Sequence, residues 1–166
     1  MFDSYVELIV KRKTLITEQI LKGLLITITV IAFILGLGNP IILVVAIGLG
    51  IISYIFIPRF NLEYEYILVN NELDIDKIMS RTRRKRQISY DLNKMVIIAP
   101  MDSHHMDSHK NNRNLKRVDY SSLVEGNKKY AMVIYMEKEN QFVIFEPNMA
   151  MLNMMKKNAP RKVFID

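Results

Sequence analysis

Hydrophobic residues dominate the chain from Gly23 to Ile57, a run of 35 residues without Asp, Glu, Lys or Arg. One helix of this length would measure about 52 Å, whereas the hydrocarbon core of a bilayer is about 30 Å thick. The run must therefore break. The segment Gly36-Leu37-Gly38-Asn39-Pro40 supplies the break, because Asn favours helix caps and Pro favours the first helical turn. The pattern predicts a transmembrane helical hairpin over residues 23–58, with spans at about 16–37 and 40–57.

The segment before this run has two distinct faces when it is drawn as a helix. Its polar face holds Asp3, Glu7, Lys11, Thr14, Glu18 and Lys22, and its apolar face holds Phe2, Tyr5, Val6, Ile9, Ile16 and Ile20. This separation into a polar and an apolar face predicts an N-terminal amphipathic helix over residues 1–22. Such a helix could lie along the inner leaflet, pack on the soluble domain or prolong the first span, and the sequence leaves these alternatives open.

From Phe60 onward, apolar and polar residues alternate, which predicts strands. Seven strands are expected, near Leu62–Leu68, Leu73–Asp76, Gln87–Leu92, Met95–Ala99, Leu115–Ser121, Lys129–Met136 and Gln141–Phe145. A helix over Met149–Lys157 follows, capped by Asn148 and ended by Pro160. One face of this helix carries Met151, Leu152 and Met155, which we expect either to close one end of a barrel or to dock a partner.

These elements predict an α+β protein in which residues 59–166 form one cytoplasmic domain. Seven antiparallel strands closed by a C-terminal helix are typical of the pleckstrin-homology-like barrel. The domain would follow the N-terminal helix and the membrane hairpin. Residues 59–166 are enough for one small folded domain and too few for two.

The distribution of charge predicts the orientation of the hairpin. Lys11, Arg12, Lys13 and Lys22 precede the hairpin, Arg59 follows it, and the connecting loop contains no Lys or Arg. Because basic residues favour the cytoplasmic side, both termini should be cytoplasmic in a multi-pass protein of the cell membrane. The alternative is a single kinked span, which would place the large domain outside.

A basic cluster precedes the third predicted strand, in an expected turn. It contains five cations within six residues, namely Arg81, Arg83, Arg84, Lys85 and Arg86. Guanidinium groups pair well with phosphate, so the cluster could contact anionic lipid head groups at a bilayer. It could equally pair with Asp74, Asp76 and other acidic neighbours. Nucleic-acid binding is disfavoured, because the excess of 19 basic over 14 acidic residues in 59–166 is modest and no nucleic-acid module is recognisable.

Two further patterns bear on chemistry without predicting a site. The tetrapeptide Met-Asp-Ser-His occurs twice within residues 101–109, a polar loop that contains all three histidines, His104, His105 and His109. Flexible ligands without supporting contacts bind metals weakly, so we expect no metal site there. The chain has no Cys, no phosphate-binding glycine loop and no hydrolase motif. We therefore expect a non-enzymatic protein without a cofactor.

Four segments carry a resemblance to known sequences: Tyr64-Glu65-Tyr66, Glu72–Ile78, Arg83-Arg84-Lys85-Arg86 and the ending Pro160-Arg161-Lys162-Val163. They are similar to a family of uncharacterised bacterial membrane proteins, domain of unknown function 6106. The resemblance covers nearly the whole chain and implies a membrane hairpin followed by a pleckstrin-homology-like domain, with no established activity. In eukaryotic lipid-binding members of this fold the first hairpin loop is basic. Here it is Asn70-Asn71-Glu72, so inositide binding is not implied.

Together these observations favour a membrane-anchored adaptor that binds a protein or peptide partner at the inner membrane surface. The alternative is a module that senses anionic lipid or orients itself on the membrane through the basic cluster. Small residues four positions apart, Ala32 with Gly36 and Ala46 with Gly50, permit close helix packing within the hairpin or in a homodimer.

Overall fold

The structure is a computed structural model that describes residues 5–80 and 83–165. The chain divides into two compact units, which are described separately. One unit contains the helical hairpin. The other contains most of two four-stranded sheets, and no closed barrel forms among the described residues.

The hairpin consists of α1, Ile16–Gly36, and α2, Pro40–Phe56, as the sequence predicted. The side chain of Asn39 caps α2 by accepting a hydrogen bond from the Ile41 amide at 2.9 Å, and Pro40 occupies the first turn. Helix α1 and the helical segment Pro40–Phe60, which extends α2 by four residues, are long and apolar enough to cross a membrane. A short 3₁₀ turn, Ile57–Phe60, follows α2.

The two helices approach each other most closely near their connecting loop. A Cβ atom added at Gly36 would lie 2.7 Å from the Leu43 Cα atom, so only glycine fits there. Farther along, the hydroxyls of Thr29 and Ser53 lie 3.0 Å apart and form an interhelical hydrogen bond. Such bonds contribute up to about 1–2 kcal/mol in an apolar environment. A Cβ atom added at Gly50, in contrast, would meet no atom within 4 Å, so this glycine makes no such contact.

The first sheet has the order β1-β2-β3-β4. Its strands are β1, Tyr5–Lys11; β2, Leu62–Val69; β3, Glu72–Met79; and β4, Arg83–Asp91. The N-terminal amphipathic helix predicted over 1–22 is therefore wrong in its first half, because the chain is extended from Tyr5 to Lys11. Residues 1–4 lie outside the described part of the chain, and α1 begins only at Ile16.

Strand β1 pairs antiparallel with β2, from Tyr5 opposite Val69 to Lys11 opposite Glu63. Successive side chains of β1 point to opposite faces of the sheet. Val10 is accordingly buried, whereas Tyr5 and Ile9 are more than half exposed. Since β1 precedes the hairpin and β2 follows it, the hairpin is inserted between two paired strands of one sheet. The predicted boundary of the soluble domain at residue 59 therefore omits a strand.

The second sheet has the order β5-β7-β8-β6. Its strands are β5, Met95–Pro100; β6, Lys116–Asp119; β7, Tyr130–Ile134; and β8, Gln141–Phe145. The short helix α3, Asp107–Lys110, lies between β5 and β6. β7 is antiparallel to β5 and β8, but β6 runs parallel to β8. The expected single barrel of seven antiparallel strands is therefore wrong: eight described strands form two sheets, one of them mixed.

The core lies between the inner faces of the strands and the C-terminal helix α4, Met149–Asn158. Every residue of β7 is buried, which explains its continuous apolar run. The rings of Tyr66 and Phe145 meet edge to face at 6.0 Å, and the Tyr66 hydroxyl donates to the Tyr120 carbonyl at 2.6 Å. The buried hydroxyl of Tyr66 thus has a hydrogen-bond acceptor within the core.

Candidate functional site

The face of the first sheet opposite the core carries charged residues from neighbouring strands. The Arg84 Nε atom donates to the Asp76 Oδ2 atom at 2.6 Å, and the same guanidinium forms an ion pair with Glu65. Glu65 and Asp76 are only 5% and 8% exposed. Buried carboxylates are costly without a cation, so the charge of Arg84 favours the ionised form of both groups. The guanidinium of Arg84 is thus paired with two carboxylates of the first sheet.

A second ion pair lies on the same strands. The Arg86 Nη2 atom is 2.5 Å from the Asp74 Oδ2 atom. Burial of Asp74 opposes its ionisation, but hydrogen bonds from Arg86 and Ser89 lower the pKa of the carboxyl group. The Asp74 carboxylate and Arg86 therefore stay charged together at neutral pH.

Glu65 behaves in the opposite way. Burial raises its pKa, and a hydrogen bond with Glu7 raises it further, while the charge of Arg84 opposes both effects. Ile9 on β1 is directly opposite Glu65 on β2, so the two side chains point to the same face of the sheet. Glu7 is two residues before Ile9 and therefore lies on that face as well. Three acidic side chains surround the guanidinium of Arg84 and raise its pKa, namely those of Asp76, Glu65 and Glu7.

The predicted basic cluster is consequently divided by the fold. Its described residues lie in β4 rather than in a turn, and alternate residues of a strand point to opposite faces. Arg84 and Arg86 pair with acidic residues, whereas Arg83 and Lys85 are exposed and form no ion pair with any described residue. Arg81 lies outside the described residues.

A pocket of 280 Å³ lies at the C-terminal end of α4, and we refer to it as the α4 pocket. Its apolar lining consists of Leu92, Met95, Met155, Ala159 and Pro160, and its polar lining consists of Asn71, Asn93, Asn158, Arg161 and Lys162. An apolar floor with a few convergent polar groups is typical of ligand sites.

Side-chain amides connect three walls of the α4 pocket. The Asn158 Nδ2 atom donates to the Asn71 Oδ1 atom at 2.8 Å, and the Asn71 Nδ2 atom donates to the Asn93 Oδ1 atom, also at 2.8 Å. This chain links the end of α4 to the β2–β3 turn and to the segment before β5. The described residues provide no acceptor for the Asn93 Nδ2 group, which remains available to a ligand.

The fourth wall is the chain that follows α4. The Ile98 amide donates to the Lys162 carbonyl and the Phe164 amide donates to the Ile98 carbonyl, both at 2.8 Å. The Lys162 ammonium donates to the Met95 carbonyl at 2.8 Å. Arg161 is exposed and forms no ion pair within the described chain. With two cations and no acidic residue in its lining, the α4 pocket is electropositive.

The sequence matches the family described as "Bacterial PH-like domain (DUF6106)" over residues 2–165. The chain belongs to this family. The resemblance inferred from its motifs is thereby confirmed, together with a pleckstrin-homology-like α+β architecture. No curated protein and no solved structure matches the chain.

In this PH-like domain the histidine segment is packed rather than loose. Met106 is fully buried in a cluster with Leu115 and Phe142, and the His105 ring stacks on Phe164 at 3.9 Å. Among the described residues, no group of three or more His, Asp or Glu side chains lies close enough to hold a metal ion.

Helix α4 contributes to the site through its last turn. Met151, Leu152 and Met155 are at most 1% exposed, so the apolar face of α4 packs into the core and is not an open docking surface. The residue pattern missed the α4 pocket because its walls come from segments far apart in the chain. The one available signal was the family-like ending Pro160–Val163, which supplies Arg161 and Lys162.

Proposed function

We propose that this PH-like protein is a membrane-anchored, non-enzymatic adaptor that binds an acidic peptide segment of a partner protein in the α4 pocket. Both termini are cytoplasmic in this proposal, because basic residues flank the hairpin and its loop has none. Insertion of the hairpin between β1 and β2 supports the anchoring role, since it ties the first sheet to the hairpin through two connections.

The observation that carries this proposal is the composition of the α4 pocket. Its cations and its unpaired amide suit a carboxylate, and its Met and Leu side chains suit the apolar part of a peptide. Its lining contains no Ser, His, Asp or Glu that could act as a nucleophile or a general base. These groups bind and orient a ligand, which is the task of an adaptor.

Site-directed photo-crosslinking in native membranes tests the proposal. A photoreactive residue at position 161 should give a discrete protein adduct, whereas the same residue at the exposed position Gln87 on β4 should not. Asn93→Asp places a negative charge in the pocket lining and should reduce adduct formation. Asn153→Asp, an identical change on an exposed part of α4, should not. Equal adducts from both crosslinker positions, or equal effects of both substitutions, would contradict the proposal.

A lipid-orienting role of the basic cluster is the second candidate. Exposure of Arg83 and Lys85 favours it, and the ion pairs of Arg84 and Arg86 weaken it, because those two guanidinium groups already have carboxylate partners. Vesicles that contain phosphatidylglycerol should lose affinity for an Arg83→Gln/Lys85→Gln variant if this candidate holds. Association of two copies through the hairpin remains part of the proposal.

A further inference from the structure

We infer that the base of the hairpin contains a binding site for one anionic phospholipid head group beside Lys22. This inference rests on the part of the proposed function that places the hairpin in a membrane. It concerns a pocket of 440 Å³ lined by Thr14, Gln19, Lys22, Gly23, Ile26 and Asn61, which we call the hairpin pocket.

The position of Lys22 along α1 is the first argument. Lys22 is the last charged residue before the uncharged run, and it lies about 9 Å along the axis from the first residue of α1. A span that starts at Ile16 places this ammonium near the boundary between head groups and acyl chains. A charge at this depth is costly unless it reaches the interface or meets an opposite charge.

The surroundings of Lys22 are the second argument. Lys22 is half-buried, no acidic residue lines the hairpin pocket, and no ion pair joins Lys22 to the described part of the chain. Thr14, Gln19 and Asn61 supply neutral polar groups around the ammonium. A phosphate is therefore the group that would compensate the charge, with the side-chain amides of Gln19 and Asn61 beside it as donors.

The pocket also has a wall for an acyl chain. Gly23 has open space where a side chain would stand, and Ile26 lies one turn farther into the apolar part of α1. The lining thus changes from polar to apolar along the helix, in the order in which a phospholipid changes from head group to tail. A soluble phosphate would use only the polar half.

Hydrogen bonds hold the walls of the hairpin pocket in place without a ligand. The Gln19 side chain donates to the Thr14 carbonyl at 3.4 Å, and the Thr14 hydroxyl donates to the Phe60 carbonyl at 3.5 Å. The Asn61 carbonyl accepts from the Ser80 amide at 2.8 Å. A largely preformed site reduces the ordering cost of binding.

Native mass spectrometry of the full-length protein tests this inference. The protein is reconstituted in bilayers with equal amounts of phosphatidylglycerol and phosphatidylethanolamine, and the lipids that remain bound are counted. We expect one preferentially retained phosphatidylglycerol. Lys22→Gln should reduce this retention roughly five- to tenfold. Lys13→Gln removes the same charge from an exposed position outside the pocket and should have little effect.

A second pair of variants tests the shape of the pocket without changing charge. Gly23→Leu should fill the open wall and reduce phosphatidylglycerol retention, whereas Gly48→Leu, at an equally open glycine of α2, should not. Equal effects of Lys22→Gln and Lys13→Gln, or no effect of Gly23→Leu, would overturn the inference. Carbonate extraction of the same samples distinguishes failure of the lipid site from failure of the membrane anchor. Loss of the wild-type protein from the membrane pellet would refute anchoring itself.

Discussion

Removal of β1 should destabilise the PH-like domain even though all other strands are present. Two hairpin-free proteins make the comparison. The first contains residues 61–166 alone, and the second joins residues 1–12 to the same segment through a flexible linker of about four residues. A short linker suffices because Lys11 and Glu63 are paired neighbours at the end of the β1–β2 ladder.

The expected magnitude follows from what β1 contributes. Seven residues of β1 have partners on β2, and Val10 is 9% exposed. Full burial of a valine contributes about 1.5–3 kcal/mol, and each backbone hydrogen bond has a net contribution of about 0.5–1.5 kcal/mol. Ordering the strand offsets part of this gain. We therefore expect the protein without β1 to lose about 3–5 kcal/mol, a large share of the stability of a small domain.

Urea denaturation followed by circular dichroism measures this difference. The linked protein should unfold cooperatively, whereas the protein without β1 should have a much lower midpoint or no cooperative transition. A linked protein with a scrambled 5–11 segment serves as a control for chain length and composition. If residues 61–166 alone are as stable as the linked protein, β1 is not part of the domain and the inserted-hairpin topology is refuted.

Three further predictions test other parts of the structure. Leu152→Asp buries an unpaired charge in the core, so it should abolish cooperative unfolding, whereas Asn153→Asp on the exposed side should not; a normally folded Leu152→Asp protein would refute the packing of α4. Cysteines at Asn39 and Asn127 should differ in labelling by an impermeant thiol reagent in intact cells, with Asn39 labelled; labelling of Asn127 would contradict the cytoplasmic orientation. Glu65 has a raised pKa in the folded state, which means that the folded protein binds the Glu65 proton more tightly than the unfolded chain does. The resulting stabilisation is complete below the unfolded pKa of about 4.3 and is lost as the pH rises through the folded pKa. Glu65→Gln should therefore reduce the decline in stability above that pH, measured by denaturation from pH 4 upward, and an unchanged pH profile would show that Glu65 is not the responsible group.

The helical hairpin was determined largely by local sequence. A helix forms its hydrogen bonds within its own segment, so an uncharged apolar run with a Gly-Asn-Pro break specifies both helices. The structure places α1 and α2 within about one residue of the predicted spans. The same reasoning explains α4, whose Asn148 cap and buried Leu152 follow from signals a few residues apart.

The strands depended on residues far away in the chain. The segment Tyr5–Lys11 is compatible with an amphipathic helix and with an alternating strand, and pairing with β2, more than 50 residues later, selects the strand. The ion pair of Arg84 with Glu65 and the four-walled α4 pocket likewise exist only after distant segments meet. A strand satisfies its backbone through partners elsewhere in the chain, so its state and the sites built on it were decided by the tertiary structure.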